Sequence, residues 1–182
     1  MQKIIPTGRE RTFGEHELIV SKTDPRGLIT YANSVFCRVS GYHDYELLGK
    51  PHNLVRHPEM PRGVFRFLWD RLKLGCEVFA MVVNLASNGD HYWVLAHITP
   101  SFSPQGELLG YHSNRRSPHQ QLVKEFSALY RQMLDLEAKI PNPKQAAEAS
   151  LRFLTEQLQK AGQDYDEYIF SRLNTVLEKE LV

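Results

Sequence analysis

The chain has 182 residues, 22 basic and 21 acidic side chains, a net charge of +1 and 42% hydrophobic residues. That is ordinary globular composition, which excludes a disordered chain and leaves room for one domain of about 100–150 residues plus an extension. The balanced charge gives no broad electrostatic reason to bind nucleic acid or an anionic membrane, and no apolar run approaches the about 20 residues that span a bilayer.

The N-terminal stretch MQKIIPTGRERTFG lacks an apolar core followed by a small-residue cleavage site, so it does not read as a secretory signal. Leu18 to Asp24 is then a strand candidate, Asp24-Pro25-Arg26-Gly27 has the chemistry of a tight turn, and Leu28 to Ala32 is the partner strand. Asn33 is a natural helix N-cap for NSVFCRVSG, which Gly41 ends, and Asp44 to Leu48 predicts a second short helix. Pro61 opens a helix to about Leu74, with Val64, Phe65, Leu68, Trp69 and Leu72 at helical spacing. Free backbone N–H groups at that helix start favour anions. Three strands follow: Glu77 to Leu85, His91 to Thr99 across an Asn88-Gly89 turn, and Glu107 to Ser113. This order predicts an α+β fold in which a five-stranded antiparallel sheet grips a layer of short helices on one face.

After Pro118 the apolar period changes. Leu122, Phe126, Leu129, Met133, Leu136 and Ile140 form a heptad seam, which Pro141-Asn142-Pro143 breaks. A second seam runs through Ala147, Leu151, Leu154, Leu158 and Ala161, and a third helix places Ile169, Leu173, Val176 and Leu177 at helical spacing between Tyr165 and Leu181. These C-terminal α-helices are read as a bundle or α-hairpin, either burying one another or offering a homodimer seam. Cys37 and Cys76 have no metal-ligand spacing, and a reducing, cytoplasmic setting is expected.

The segments TDPRGLITYAN (Thr23 to Asn33), SGY (Ser40 to Tyr42), ELLGKPHNLVRHPEMP (Glu46 to Pro61) and NGDHYWV (Asn88 to Val94) resemble the PAS domain of bacterial aerotaxis receptors. The chain is read as an N-terminal cap over residues 1–14, a PAS sensor domain over 15–117 and, beyond the resemblance, a helical output or dimerisation segment over 118–182. The resemblance implies a PAS fold and a non-covalent FAD held between sheet and helices, a flavoprotein whose redox state is the signal in aerotaxis. The resemblance also implies signal transduction, and because no apolar span follows the PAS segment, the chain is expected to act without direct membrane insertion on a separate chemotaxis-type transducer, as in split energy-taxis systems. The positions matching the receptors' flavin residues are Asn33, Arg56, His57, Glu59, Phe65 and Asn84. Glu59 stands where the family pattern has aspartate.

The chemistry of these residues suits a large anionic cofactor: His52, Arg56 and His57 supply donors, and an arginine forks onto phosphate or carboxylate oxygens. Trp69 and Trp93 are candidates for stacking on a ring or walling its pocket. Plain structural roles stand beside these: Asn33 as an N-cap, Arg56 and Glu59 as an ion pair, Phe65 and Trp69 as core. His91 and His97 read as surface or core histidines. The chain also departs from the family, with Val78 in place of a tryptophan and Leu85 and Ala86 in place of basic residues. Phe79 is expected to supply part of the lost aromatic wall.

Other functions remain open from the residues alone. A haem-binding PAS gas sensor draws on the eight histidines, and a ligand-free PAS adaptor on the lost tryptophan. A cysteinyl–flavin photoreceptor needs a cysteine in the helix beginning near Asn53, and there is none. An enzyme is disfavoured because no Gly-rich phosphate loop, nucleophile elbow or H-E-x-x-H pair occurs.

Overall fold

A computed structural model describes residues 4–180, with side chains through residue 175. Contacts divide it into two compact units, the residues up to His57 with Gly75–Pro118, and Pro58–Leu74 with the residues from His119 onward. The expected stripe positions Val176 and Leu177, as side chains, and Leu181 lie outside the described residues.

The first unit is built on strands β1 (Ile19–Thr23), β2 (Ile29–Ala32), β3 (Val78–Leu85), β4 (His91–Phe102) and β5 (Leu108–Arg116), with helices α1 (Ser34–Ser40) and α2 (Asp44–Leu47) and a 3-10 turn over His52–Val55. The sheet has five antiparallel strands in the order β2-β1-β5-β4-β3. The first hairpin closes as its residues dictate: Asp24 accepts from the N–H groups of Arg26 and Leu28, both at 2.9 Å, and Gly27 takes φ +82°. Asn33 caps α1, its Oδ1 accepting from Phe36 N–H at 2.9 Å. Strands β4 and β5 run three residues past the Thr99 and Ser113 ends that alternation suggested.

The register fixes two faces. Ser21 pairs with Ser113, Arg115 with Ala96 and Asn84 with Tyr92, so these residues share one face of the sheet. That face is the one covered by α1 and the 3-10 turn, because Arg115 lies over Phe36 and Ser21 bonds His52. Trp93, Phe79 and His97 alternate to the other face. Residues 7–11 run along the β3–β4 hairpin, with Thr7 N–H on Gly89 C=O at 2.8 Å and Arg11 N–H on His91 C=O at 2.7 Å. Gly89 is needed there twice over: its φ is +91°, and a Cβ would lie 2.3 Å from the Ile5 carbonyl oxygen.

The second unit contains α3 (Arg62–Lys73), α4 (Gln120–Ala138), α5 (Pro143–Lys160) and α6 (Tyr165–Glu180). Gly63 of α3 meets Ser150 of α5 so closely that a Cβ would fall 2.3 Å from its Oγ and 2.6 Å from the Leu151 nitrogen. Small residues on both helices allow this approach. The buried stripe of α5 is therefore Ala146, Ser150, Leu154 and Leu158, and the expected Ala147 and Leu151 are only half-buried. Helix α4 buries Leu122, Val123, Phe126, Tyr130, Met133 and Glu137, whereas Leu129 and Leu136 of the expected seam are half-buried. Steps of four, four, three and four from Leu122 to Glu137 follow the period of a straight helix presenting a broad face, not a heptad seam. Glu137 is 5% exposed and accepts from Gly63 N–H at 3.1 Å and Ser150 Oγ–H at 2.6 Å. The anion at the start of α3 is thus one of the protein's own carboxylates. Arg71 adds an ion pair to Asp166 at 2.6 Å.

Candidate functional site

The helix-covered face of the sheet holds a buried polar cluster. Arg115, on β5, is 2% exposed and its guanidinium carbon lies 4.4 Å from the Phe36 ring centroid. One of its nitrogens donates to Ser21 Oγ. Its Nε and Nη1 have no hydrogen-bond partner among the described residues, and no carboxylate pairs with it there. Burial lowers its pKa to about 10, so the guanidinium remains charged at neutral pH. Tyr92 is 0% exposed with its hydroxyl likewise unpartnered, and burial raises the phenol pKa. The Tyr42 hydroxyl is a further buried polar group without a hydrogen-bond partner among the described residues.

His52 completes the cluster from the 3-10 turn. Its Nε2 lies 3.0 Å from Ser21 Oγ and its ring stacks on Phe36 at 5.8 Å between centroids. Lost hydration, then the Arg115 charge, push its pKa down to about 3, so the imidazole is neutral across the physiological range. A buried guanidinium, two phenols and a neutral imidazole form a donor-rich interior that suits a ligand bearing carbonyl, enolate or phosphate oxygens. The orphaned donors fit a flavin, whose ring carbonyls and phosphates are acceptors.

The residues expected from the sequence are distributed unevenly. Arg56 and Asn84 form an isolated antiparallel bridge at the edge of β3, which brings the segment ending at His57 to the strand position paired with Tyr92. Asn84 is 5% exposed. Asn33 does fulfil its capping role and also ties β1 in place: Oδ1 accepts from Val20 N–H at 3.0 Å and Nδ2 donates to Leu18 C=O at 2.7 Å. His57 is buried, but it follows Arg56 in the bridge and so turns to the opposite face, its ring 5.7 Å from that of His91. Trp93 lies on that opposite face too, because it is one residue out of phase with Tyr92. Phe79 also departs from expectation: it stacks on His97 at 4.2 Å on the face away from Arg115, so it does not replace the tryptophan missing at Val78. Glu59, Phe65 and Trp69 belong to the helical unit, where Glu59 is exposed, Phe65 half-buried and Trp69 37% exposed.

Sequence reasoning missed Arg115, Ser21 and Tyr92. A signal existed: in GYHSNRR, alternation puts Tyr111, Ser113 and Arg115 on one face, and a lone arginine at an inward position of a strand demands an explanation. Ending β5 at Ser113 left Arg115 outside the strand.

Residues 29–114 match the family described as PAS fold. The aerotaxis receptor of Escherichia coli (strain K12) is 38% identical over 125 residues, which are 69% of this chain and 24% of that protein. The nitrogen fixation regulatory protein of Klebsiella pneumoniae is 37% identical over 97 residues, 53% of this chain and 20% of that protein. The chain thus spans about a quarter or less of the length of these curated relatives. A solved structure from work on a flavin analogue and the mechanism of the light-oxygen-voltage domain superposes with a TM-score of 0.54 at 21% identity, covering 60% of this chain and 82% of that one. At that identity the likeness concerns the fold.

Proposed function

The chain carries a PAS domain of the aerotaxis receptor kind, related also to the nitrogen fixation regulatory protein, and on that premise we propose that it is an FAD-binding redox or oxygen sensor. The observation that most supports the reading is the Arg56–Asn84 bridge, which joins two widely separated parts of the resemblance beside Tyr92, on the sheet face that also carries Arg115. When bound, FAD supplies a ring that takes up electrons and protons reversibly, so its hydrogen-bonding edge differs between redox states.

In this reading Asn84 and Arg56 offer side-chain donors to the cofactor from the β3 edge, and Asn33 holds β1 and α1 in register around it. Phe36 and His52 form an apolar and aromatic wall that excludes water. The proposal gives no flavin contact to Trp93 or Phe79, which face the other way, and draws nothing from Glu59, Phe65 or Trp69. We read the protein as a sensor and not an enzyme, in keeping with relatives that are a receptor and a regulatory protein.

Output is proposed to pass through the C-terminal helices to a separate signalling partner of the chemotaxis-transducer kind, or through a homodimer of those helices, in the cytoplasm. Only three residues separate the end of β5 at Arg116 from the start of α4 at Gln120. Among the described residues no helix is long and apolar enough to cross a membrane.

The test is the visible spectrum of freshly purified protein. Flavin bands are expected; a haem Soret band, or a colourless protein that refuses added flavin, overturns the reading. Arg56→Ala and Asn84→Ala should each weaken flavin binding by about tenfold or more, the loss of one charge-assisted or buried hydrogen bond, with circular dichroism unchanged. Unchanged binding in both returns these residues to a structural role.

A further inference from the structure

Resting on the flavin reading, we propose that Arg115 binds the negatively polarised oxygen atoms of the cofactor inside the domain.

A guanidinium carries five N–H donors and no acceptor, and it keeps its charge inside a protein. Taking it out of water costs several kcal/mol unless an acceptor, preferably an anion, replaces the hydration. Arg115 is 2% exposed, and a serine hydroxyl is its sole hydrogen-bond partner among the described residues. Nε and Nη1 are left without acceptors, and the face of Phe36 beneath the charge compensates only in part. Nothing in this arrangement favours an arginine over methionine or leucine if stability alone is at issue. A bound acceptor explains it.

The neighbours sharpen the chemistry. Ser21 is occupied by Arg115 and His52, and the Tyr92 hydroxyl is a further unpartnered buried group. His52 is neutral, so Arg115 is the one full charge in the cluster. The matching ligand part is an oxygen carrying full or partial negative charge. In FAD such oxygens occur in two places, the carbonyls of the ring and the pyrophosphate, and both present the same chemistry to a guanidinium.

Arg115→Met in the full chain separates a ligand role from a structural one. Methionine fills similar space without charge, so the apo-protein should melt at a higher temperature than the parent, since an uncompensated buried charge has gone. Its affinity for FAD should nonetheless fall about ten- to hundredfold, measured by quenching of flavin fluorescence. Titration with riboflavin, which has the ring but no phosphate, locates the contact. A matching loss for riboflavin places Arg115 on the ring carbonyls, and a loss for FAD alone places it on the pyrophosphate. A folded Arg115→Met protein with the parent's affinity for both flavins overturns the assignment while leaving the flavin reading intact. A parent that takes up neither flavin overturns both. Should Arg115→Met fail to fold, Arg115→Lys keeps the charge and loses the planar fork, and parent-like FAD affinity there overturns the assignment as well.

Discussion

Ser21 Oγ joins two members of the buried cluster. Arg115 can only donate, so Ser21 Oγ accepts from it, and the same oxygen lies 3.0 Å from His52 Nε2, within hydrogen-bond reach of the ring in either tautomer. A protonated His52 would be a charge stripped of its hydration and set beside the Arg115 guanidinium, which is the physical content of a pKa near 3. The consequence for stability has a definite sign. The unfolded chain takes a proton on this histidine near pH 6.5 and the folded one does not, so stability is highest above that pH and falls as pH drops toward 3. Between pH 6.5 and 5, above the range where the depressed carboxyls of Asp24 and Asp90 protonate, His52 should cost about 1–2 kcal/mol of unfolding free energy. Urea titrations of parent and His52→Gln across that interval check it. The variant should be flat by comparison, and parallel slopes would show that His52 is not the group responsible.

At the scale of elements, the start of α3 matters most, because its first turn is satisfied from within the protein. Glu137 reaches from α4 to Gly63 N–H and Ser150 Oγ, with the Arg62 guanidinium 3.8 Å from its other oxygen. Glu137→Ala leaves the buried Gly63 N–H without an acceptor and Ser150 Oγ with only the Ala147 carbonyl at 3.3 Å, and should cost about 1–3 kcal/mol. Gly63→Ala drives a Cβ into the Ser150 hydroxyl and the α5 backbone and should cost about 1–3 kcal/mol. Chemical denaturation measures both, and a Gly63→Ala protein of unchanged stability would contradict the close approach of α3 and α5. Much of this architecture was legible in the sequence. The succession of strands and helices along the chain, the Asp24 and Asn88-Gly89 turns, the Asn33 cap and the helix breaks at Pro141 and Gly162 are local chemistry, which sequence carries directly. The α4 and α5 stripes were not, because Tyr130, Glu137 and Ser150 are polar-looking residues whose burial depends on a partner helix drawn from far along the chain. The site was partly legible for the same reason. Arg56 and Asn84 came from the resemblance, whereas Arg115 needed the strand's true end, and the facing of His57 and Trp93 needed the register.

For the molecule as a whole, the proposed redox signal passes from the interior of the sheet to the helices that follow it in the chain. Arg115 sits near the end of β5, and α4 begins shortly after it. A change in what the cluster binds can bias the β5–α4 connection only by the difference in binding between the two redox states, and about 1–3 kcal/mol is enough to alter partner affinity severalfold or more. Hydrogen exchange over residues 113–140, compared between oxidised and anaerobically reduced protein, should show altered protection there. Identical protection in both states would separate the helices from the redox signal. Heat or acid releases whatever the purified chain carries, and chromatography identifies it. The account predicts FAD, close to stoichiometric with protein and non-covalently held. Release of haem, or a folded chain that neither yields FAD nor takes it up when it is added, would contradict it.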